Sequence, residues 1–524
     1  NLRLSPEEDE ALLHAKAAAA ANLREEDIKS LRVVKRSLDA RKRADVHFLY
    51  AVRIEVDDED AVLRRANAGI EREEARQKRE IRPGNRALAE QPVVVGSGPC
   101  GMFAALTLAR AGYAPLVIER GAPVERRKAD VDAFFQTGEL DENSNVLFGE
   151  GGAGTFSDGK LTTRIKDPRC QDVLEDLVRF GAEASAAYDA KPHIGTDVLR
   201  KVVAAIRKEV IALGGAYRFH ETVTGIEAQN GALAAVLTSR ERIPASACIL
   251  ATGHSARDVY GFLHRMGIPL SGKPFAIGVR IEHPRDMIDA AQLGRYAGHP
   301  RIGAAEYRLT ARSGERGVYT FCMCPGGYVV ASASEAGGVV TNGMSYSKRD
   351  GENSNSAVVV AVSPADFGPH PLDGVAFQRR IEQDAFRLGG GGYVAPAQTV
   401  GDFLANRPSK RFGSVRPTYR PGVAPCNLWD CLPAFVAAGI REALPVFGRQ
   451  LKGFDRADAV LTAVESRTSS CVRILRGENL QSPEVFGLYP AGEGAGYAGG
   501  IVSAAVDGMR AAEALIETFR PPRL

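Results

Sequence analysis

The sequence predicts an α/β fold with a parallel sheet at its centre, and three stretches predict it. Residues 92–120 read PVVVGSGPCGMFAALTLARAGYAPLVIER, residues 247–253 read ACILATG, and residues 487–516 read GLYPAGEGAGYAGGIVSAAVDGMRAAEALI. Each begins with a short apolar run that stops at glycine or small residues, as a strand buried on both faces does. Two of the three continue into an Ala-rich helical pattern. The sheet is therefore expected to be split in sequence, with a long insertion between its parts.

The first stretch carries the spacing G-x-G-x-x-G at Gly96, Gly98 and Gly101. Gly96 allows the tight turn, Gly98 lets backbone approach a pyrophosphate, and Gly101 lets the helix pack on the strand. The helix N-terminus then offers free N–H groups and a positive dipole end to phosphate. Glu119 ends the second strand, where it is placed to accept hydrogen bonds from ribose hydroxyls. Strand, glycines, helix, strand and acid in this order point to a dinucleotide. They leave open whether it is FAD or NAD(P).

Residues 1–85 precede this unit. They read as a helix over 6–21, strands over 31–36 and 46–56, and a charged helix over 59–78, with RPGN at 82–85 as a breaker. The basic cluster Arg36, Arg41, Lys42 and Arg43 reads as a solvated face. The whole chain has 524 residues, 44% hydrophobic and 25% charged, with a net charge of +3. That length exceeds a single core. That charge gives no reason to expect nucleic acid or membrane as a partner. Eight scattered cysteines form no zinc pattern, so no metal is expected, and they read as reduced thiols. With a polar N-terminus and no apolar run long enough to span a bilayer, the expected location is the cytoplasm.

After Glu119 comes a basic run (Arg120, Arg126, Arg127, Lys128) and then GEGGAGTFSDGKLTTR at 149–164. So many glycines beside Phe148 and Phe156 suggest backbone lying against a cofactor. A helix over 197–213, a meander over 217–237 and the ATG strand at 247–253 follow, the order of a Rossmann-type domain. Residues 255–456 change character: strands over 275–281, 318–322, 328–332 and 357–362 alternate with helices over 374–387 and 434–443. This reads as an inserted substrate or cap domain on a mixed sheet. The run LGGGGY at 388–393 lacks a strand before it and a helix after it, so no second fingerprint exists for NAD(P). The third stretch decides the cofactor. An acid after a strand-end glycine (Gly492-Glu493) suits ribityl hydroxyls, and a helix starting near Gly500-Ile501 suits the negative charge of a reduced flavin. The reading is FAD, with domains at 1–85, at 86–254 plus 457–524, and at 255–456.

These residues resemble the two-dinucleotide-fold flavoproteins of the glutathione-reductase and fumarate-reductase superfamily. More closely, the chain resembles a bacterial family of uncharacterised FAD-dependent dehydrogenases, also described as NAD(P)/FAD-dependent oxidoreductases. The likeness rests on the fingerprint, KRSLDARK (35–42), GEGGAGTFSDGKLTTR (149–164), CMCPGGYVV (322–330), NGMSYSKRD (342–350), ESRTSS (465–470) and AGEGAGYAGGI (491–501). It implies FAD contacts at Gly96, Gly98, Gly101, Glu119, Gly152, Val223, Gly253, Glu493, Gly500 and Ile501. Arg120, Gly151, Thr155, Thr252 and Gly492 complete the expected set. Phe148-Gly149-Glu150 offers no histidine where covalent members carry their flavin link, so FAD is expected to be non-covalent.

For chemistry, Cys322 and Cys324 stand at i and i+2 of a strand and are expected to face one side. A thiol–flavin relay or an acid/base thiolate competes there with two structural cysteines. Cys426 and Cys431 read as structural. Lys160, Arg164 and Arg467 are candidates to clamp a carboxylate substrate or the flavin, and the alternative for each is a surface salt bridge. His254 and Arg257 are weaker candidates for proton transfer, and Ser345, Tyr346 and Lys348 for substrate contact. The expected function is an oxidoreductase moving a hydride between a small organic substrate and FAD, with NAD(P)H or a partner protein as electron donor. The alternatives are an NAD(P)H-dependent flavin monooxygenase and a flavin-bearing electron-transfer or binding protein.

Overall fold

The computed structural model describes residues 1–65, 69–74, 76 and 79–522. At its centre five parallel strands run in the order Leu488–Pro490, Cys248–Leu250, Val93–Val95, Leu116–Ile118, Ala216–Arg218. Every residue of the first four is buried, because both faces are covered. Helices Pro99–Arg110, Thr196–Ala212 and Ile501–Thr518 cover one face. The first and last of these touch backbone to backbone: a Cβ on Gly508 would stand 2.0 Å from the Cys100 carbonyl oxygen. The meander Val223–Gln229, Ala232–Thr238, Arg242–Pro244 lies on the other face. The split parallel sheet and the meander match the sequence reading.

The insertion is built on a seven-stranded mixed sheet in the order Thr310–Ser313, Arg316–Cys324, Asn353–Val362, Phe275–Pro284, Val460–Glu465, Ala395–Thr399, Val423–Pro425. All its pairings are antiparallel except the last. Helices Asp373–Leu388 and Ala434–Gln450 pack on it. One boundary needs correction. Residues 457–468 were expected with the nucleotide-binding unit, but Val460–Glu465 is an interior strand of the seven-stranded sheet and is buried throughout. Its apolar run fits either sheet by pattern, and only its partners decide. The ribbon Leu270–Gly272 with Val472–Ile474 then leads the chain back.

The N-terminal unit is a three-stranded antiparallel sheet, Leu2–Leu4, His47–Glu55, Ser30–Asp39, with helix Leu12–Ala21. The helix starts later than expected because Glu8 and Asp9 draw the Ser5 and Ala11 amides into turns at 2.6 and 2.8 Å. Arg36 departs from the solvated face: its guanidinium makes a two-point contact with Asp189 at 2.6 and 2.9 Å and ties this sheet to the nucleotide-binding unit. The helix expected over 59–78 covers Glu59–Arg65. Residues 71–74 and 76 are not helical, and 66–68, 75, 77 and 78 lie outside the described residues. Among the described residues no helix is long and apolar enough to cross a membrane.

Candidate cofactor and active site

The C-terminal ends of four parallel strands open into a cleft of about 390 Å³ whose far wall is the seven-stranded sheet. Ligands of open α/β sheets bind at that edge. Gly96 and Gly98 follow the first strand, Glu119 and Arg120 the second, Thr252, Gly253 and His254 the third, and Glu493 the fourth. Gly152, Val223, Gly500 and Ile501 complete the near wall, while Lys160, Cys322, Glu465 and Arg467 reach the cleft from the other side.

The near wall is mostly backbone. Gly96 has φ +94°, and a Cβ there would stand 2.5 Å from the Ala251 oxygen. Gly98 caps the helix Pro99–Arg110 in extended conformation, whose first amides are free by geometry. Gly101 does not line the cleft. A Cβ on it would meet the Gly96 oxygen at 1.9 Å, so its job is to bring helix and turn together. Gly151, Thr155 and Gly492 also stand behind the wall rather than on it. Gly151 makes room for the Thr155 hydroxyl, Thr155 is fully buried, and Gly492 abuts Cys100.

Glu119 takes a different part from the one its position implies. One carboxylate oxygen accepts the Ser97 amide and hydroxyl at 2.9 and 2.8 Å, and the other accepts the Gly121 and Gly149 amides at 3.0 Å each. All four acceptor positions are used in joining three loops. A buried oxygen without a hydrogen bond belongs instead to Glu221, which is 1% exposed and lines the cleft near Val223; that oxygen faces the Arg240 guanidinium at 3.8 Å, and the other accepts from Thr238 at 2.7 Å. Arg120 lies over the Phe148 ring at 4.4 Å and bonds Asp258. The glycine-rich loop is held from beneath by Arg127, fully buried, which donates to the carbonyls of Asn145, Val146, Gly149, Glu150 and Gly152. In the sequence Arg127 is indistinguishable from its exposed neighbours Arg126 and Lys128. Only its placement on the inner side of helix Val124–Thr137 separates it.

The far wall is side chains. Lys160 is held by Asp158 at 2.7 Å and by the Met323 carbonyl. Burial works against its charge, yet Asp158 and the two nearby cysteines raise its pKa overall. Arg467 is bound by Glu382 at 2.9 and 3.0 Å and by Ser334 at 2.6 Å. Both cations are thus engaged, the Arg467 side chain buried and Lys160 part-buried, and neither is a surface salt bridge. Glu382 also binds Arg257, which stands behind the wall and donates to Glu335 and Gln378 as well. Glu493 is pushed up to about 7 by burial, with Lys273 opposing. Its Oε1 is 3.5 Å from His254 Nδ1, and burial holds His254 neutral, down to about 4.

The cysteines do not share one face of a regular strand. The ladder steps from Phe321–Ala357 to Cys324–Asn355, one residue too many on the cysteine strand, and Cys322 takes φ +44°. Cys322 lines the cleft and Cys324 is fully buried below it. Arg164, Ser345, Tyr346 and Lys348 do not line the cleft; Ser345 is fully buried on the Pro325 carbonyl. Cys426 and Cys431 do not line it either, and burial raises both thiols.

The residues present fit FAD. Cβ positions on Gly98, Gly253 and Gly499 point to open space or ordinary contact, which leaves a backbone cradle, and Glu221 and Ser332 each leave a buried oxygen on the cleft without a hydrogen bond. Against known proteins, residues 274–468 match the family model described as FAD-dependent protein, C-terminal domain-like. Residues 1–55 match a domain of unknown function, DUF8436. An uncharacterized protein of Clostridium beijerinckii is 49% identical over 527 residues, covering 100% of this chain and 99% of its own. The chain belongs to that protein's family. FAD is its cofactor, and the chain is a flavoprotein. Solved structures overlap loosely. The glycine oxidase of Geobacillus kaustophilus has a TM-score of 0.36 at 12% identity, over 83% of this chain and 96% of its own. A geranylgeranyl bacteriochlorophyll reductase-like protein of Thermoplasma acidophilum has 0.35 at 13%, over 83% and 79%.

Proposed function

We propose that this flavoprotein is an oxidoreductase of dehydrogenase or reductase type, moving a hydride between a small organic substrate and non-covalently held FAD. The observation that carries this reading is the convergence of Lys160, Cys322, Arg467 and the Glu493–His254 pair on the cleft that the fingerprint glycines open into. When bound, FAD supplies the two-electron chemistry. The chain binds it along the glycine wall and orients the substrate. The Lys160 ammonium and the N–H groups of Arg467 not taken by Glu382 and Ser334 attract an anionic substrate, a carboxylate above all. Glu493 Oε1, near 7 and beside a neutral imidazole, holds or releases a proton at physiological pH. Phe321, 40% exposed on the cleft wall, is an apolar cover that excludes water. In the reductase direction NAD(P)H or a partner protein serves as the transient electron donor.

The test is anaerobic mixing of the FAD-loaded chain with a panel of short 2-hydroxy and 2-amino acids, read as loss of visible flavin absorption. One acid is expected to bleach the flavin, with Glu493→Gln slowing that step on the order of 10²–10⁴-fold. Bleaching by NADPH alone, followed by hydroxylation of an added aromatic compound in oxygen, would favour the monooxygenase and end the dehydrogenase reading.

A further inference from the structure

Two residues apart on a flat strand, Cα atoms are about 6.6 Å apart, at the outer edge of the disulfide range. Cys322 and Cys324 are not on a flat strand. The extra residue between Phe321 and Cys324 and the left-handed backbone at Cys322 fold the strand on itself, and the Cys324 thiol turns back to donate to the Cys322 backbone carbonyl at 3.4 Å. A left-handed conformation costs a non-glycine residue about 1–2 kcal/mol, and here it accompanies a bend that sets the Cys324 thiol against the Cys322 peptide.

The setting favours a thiolate. The Arg280 guanidinium is fully buried beneath, donating to the Cys322 carbonyl at 2.8 Å and to Asn355 at 3.1 Å. Lys160 stands alongside, on the carbonyl of Met323 between the two cysteines. Glu465 pairs with Arg280 at 2.9 Å, and Asp158 with Lys160 and Arg349. Cys324, with Arg280 and Lys160, lowers the Cys322 pKa against the effect of burial. The other seven cysteines are all shifted upward, mainly by burial except at Cys324, where Cys322 acts first. Of the pair, Cys322 reaches the cleft and Cys324 lies directly behind it. An accessible thiolate backed by a second thiol is the arrangement of a reversible redox couple.

We propose that Cys322 and Cys324 are a dithiol/disulfide couple that exchanges two electrons with the FAD of the cleft, so that the protein stores two electron pairs. On oxidation the two sulfurs join in one S–S bond. Two electrons and the Cys324 proton leave the thiolate–thiol pair and pass to FAD, giving FADH⁻; the reverse step returns the Cys322 thiolate and the Cys324 thiol. The proposal rests on FAD being bound in the cleft and does not depend on which substrate is oxidised.

The test uses the full chain purified with its flavin. After air oxidation, anaerobic titration with dithionite is expected to consume about four electrons per flavin, two for each centre. Cys322→Ser and Cys324→Ser should each bring this down to about two. In parallel, the full chain is equilibrated with oxidised or reduced glutathione, alkylated and digested with trypsin. Residues 317–348 then form one peptide containing both cysteines and no others. That peptide should escape alkylation in the oxidised sample and take two labels in the reduced one, a readout that needs neither the variants nor activity. Flavin-replete protein that consumes only two electrons, variants that still consume four, or a peptide labelled twice after oxidation overturns the proposal. Purified chain that retains no flavin overturns the cofactor reading instead, and the peptide still reports whether the couple forms.

Discussion

The two walls of the cleft are built in different ways. The near wall is mostly backbone: Gly96, Gly98 and the helix after them come from one stretch, and Gly101 works by having no side chain. The far wall is charge and sulfur from distant places. Lys160 reaches Met323, Arg280 reaches Glu465, and Arg257 and Arg467 meet on Glu382. A wall of backbone is sensitive to volume. A wall of buried ions is sensitive to which partner is missing.

Glu382→Ala should do the most damage. It leaves Arg257 and Arg467 buried without their shared carboxylate, a cost of roughly 3–5 kcal/mol. Urea unfolding measures it, and a loss below about 1 kcal/mol would mean the far wall does not depend on that ion network. Gly101→Ala comes next, because its methyl would collide with the Gly96 oxygen at 1.9 Å. A loss of about 3 kcal/mol is expected, with most of the bound flavin gone. The ratio of flavin to protein absorbance reads this directly, and full flavin content would break the contrast between the walls.

A titration probes the near wall more finely. Glu150 is 1% exposed, one of its oxygens has no partner, and burial pushes it up to about 7. Between the ordinary carboxylate value and about 7 the folded chain keeps a proton that the unfolded chain has released. Stability should therefore be greatest in acid and fall as pH rises through that window, by roughly 2 kcal/mol between pH 5 and 7. Glu150→Gln should lessen the slope in denaturation at those two pH values, leaving the part set by Glu493, which burial raises alike; an unchanged slope would assign it elsewhere. The smallest effect is expected outside both walls. Arg36→Ala removes a part-buried contact to Asp189, worth about 1 kcal/mol. Hydrogen exchange should quicken in residues 1–55 while flavin content stays constant.

Much of the near wall was legible because its causes are local. Gly96, Gly98, Thr252, Gly253, Glu493 and Gly500 were all read from short motifs, and all line the cleft. Where a local reading met a longer-range cause, it failed. Glu119 stands where expected, but Ser97, Gly121 and Gly149 fill its acceptors. Arg127 and Glu221 carry no motif. Val460–Glu465 is an apolar strand that either sheet would accept until its neighbours are known.

By itself, then, the sequence determined the split parallel sheet, the inserted mixed sheet and the FAD fingerprint. Periodicity and glycine spacing act over a few residues, and no distant partner alters what they require. Only the tertiary structure decided what the far wall is. Whether Arg467 is a free clamp or a buried ion depends on Glu382, 85 residues away. Whether Cys322 and Cys324 merely share a strand or touch depends on a register shift against Asn353–Val362. Such convergence has no signature along the chain, because ion pairs and sulfur contacts are set by distance in space.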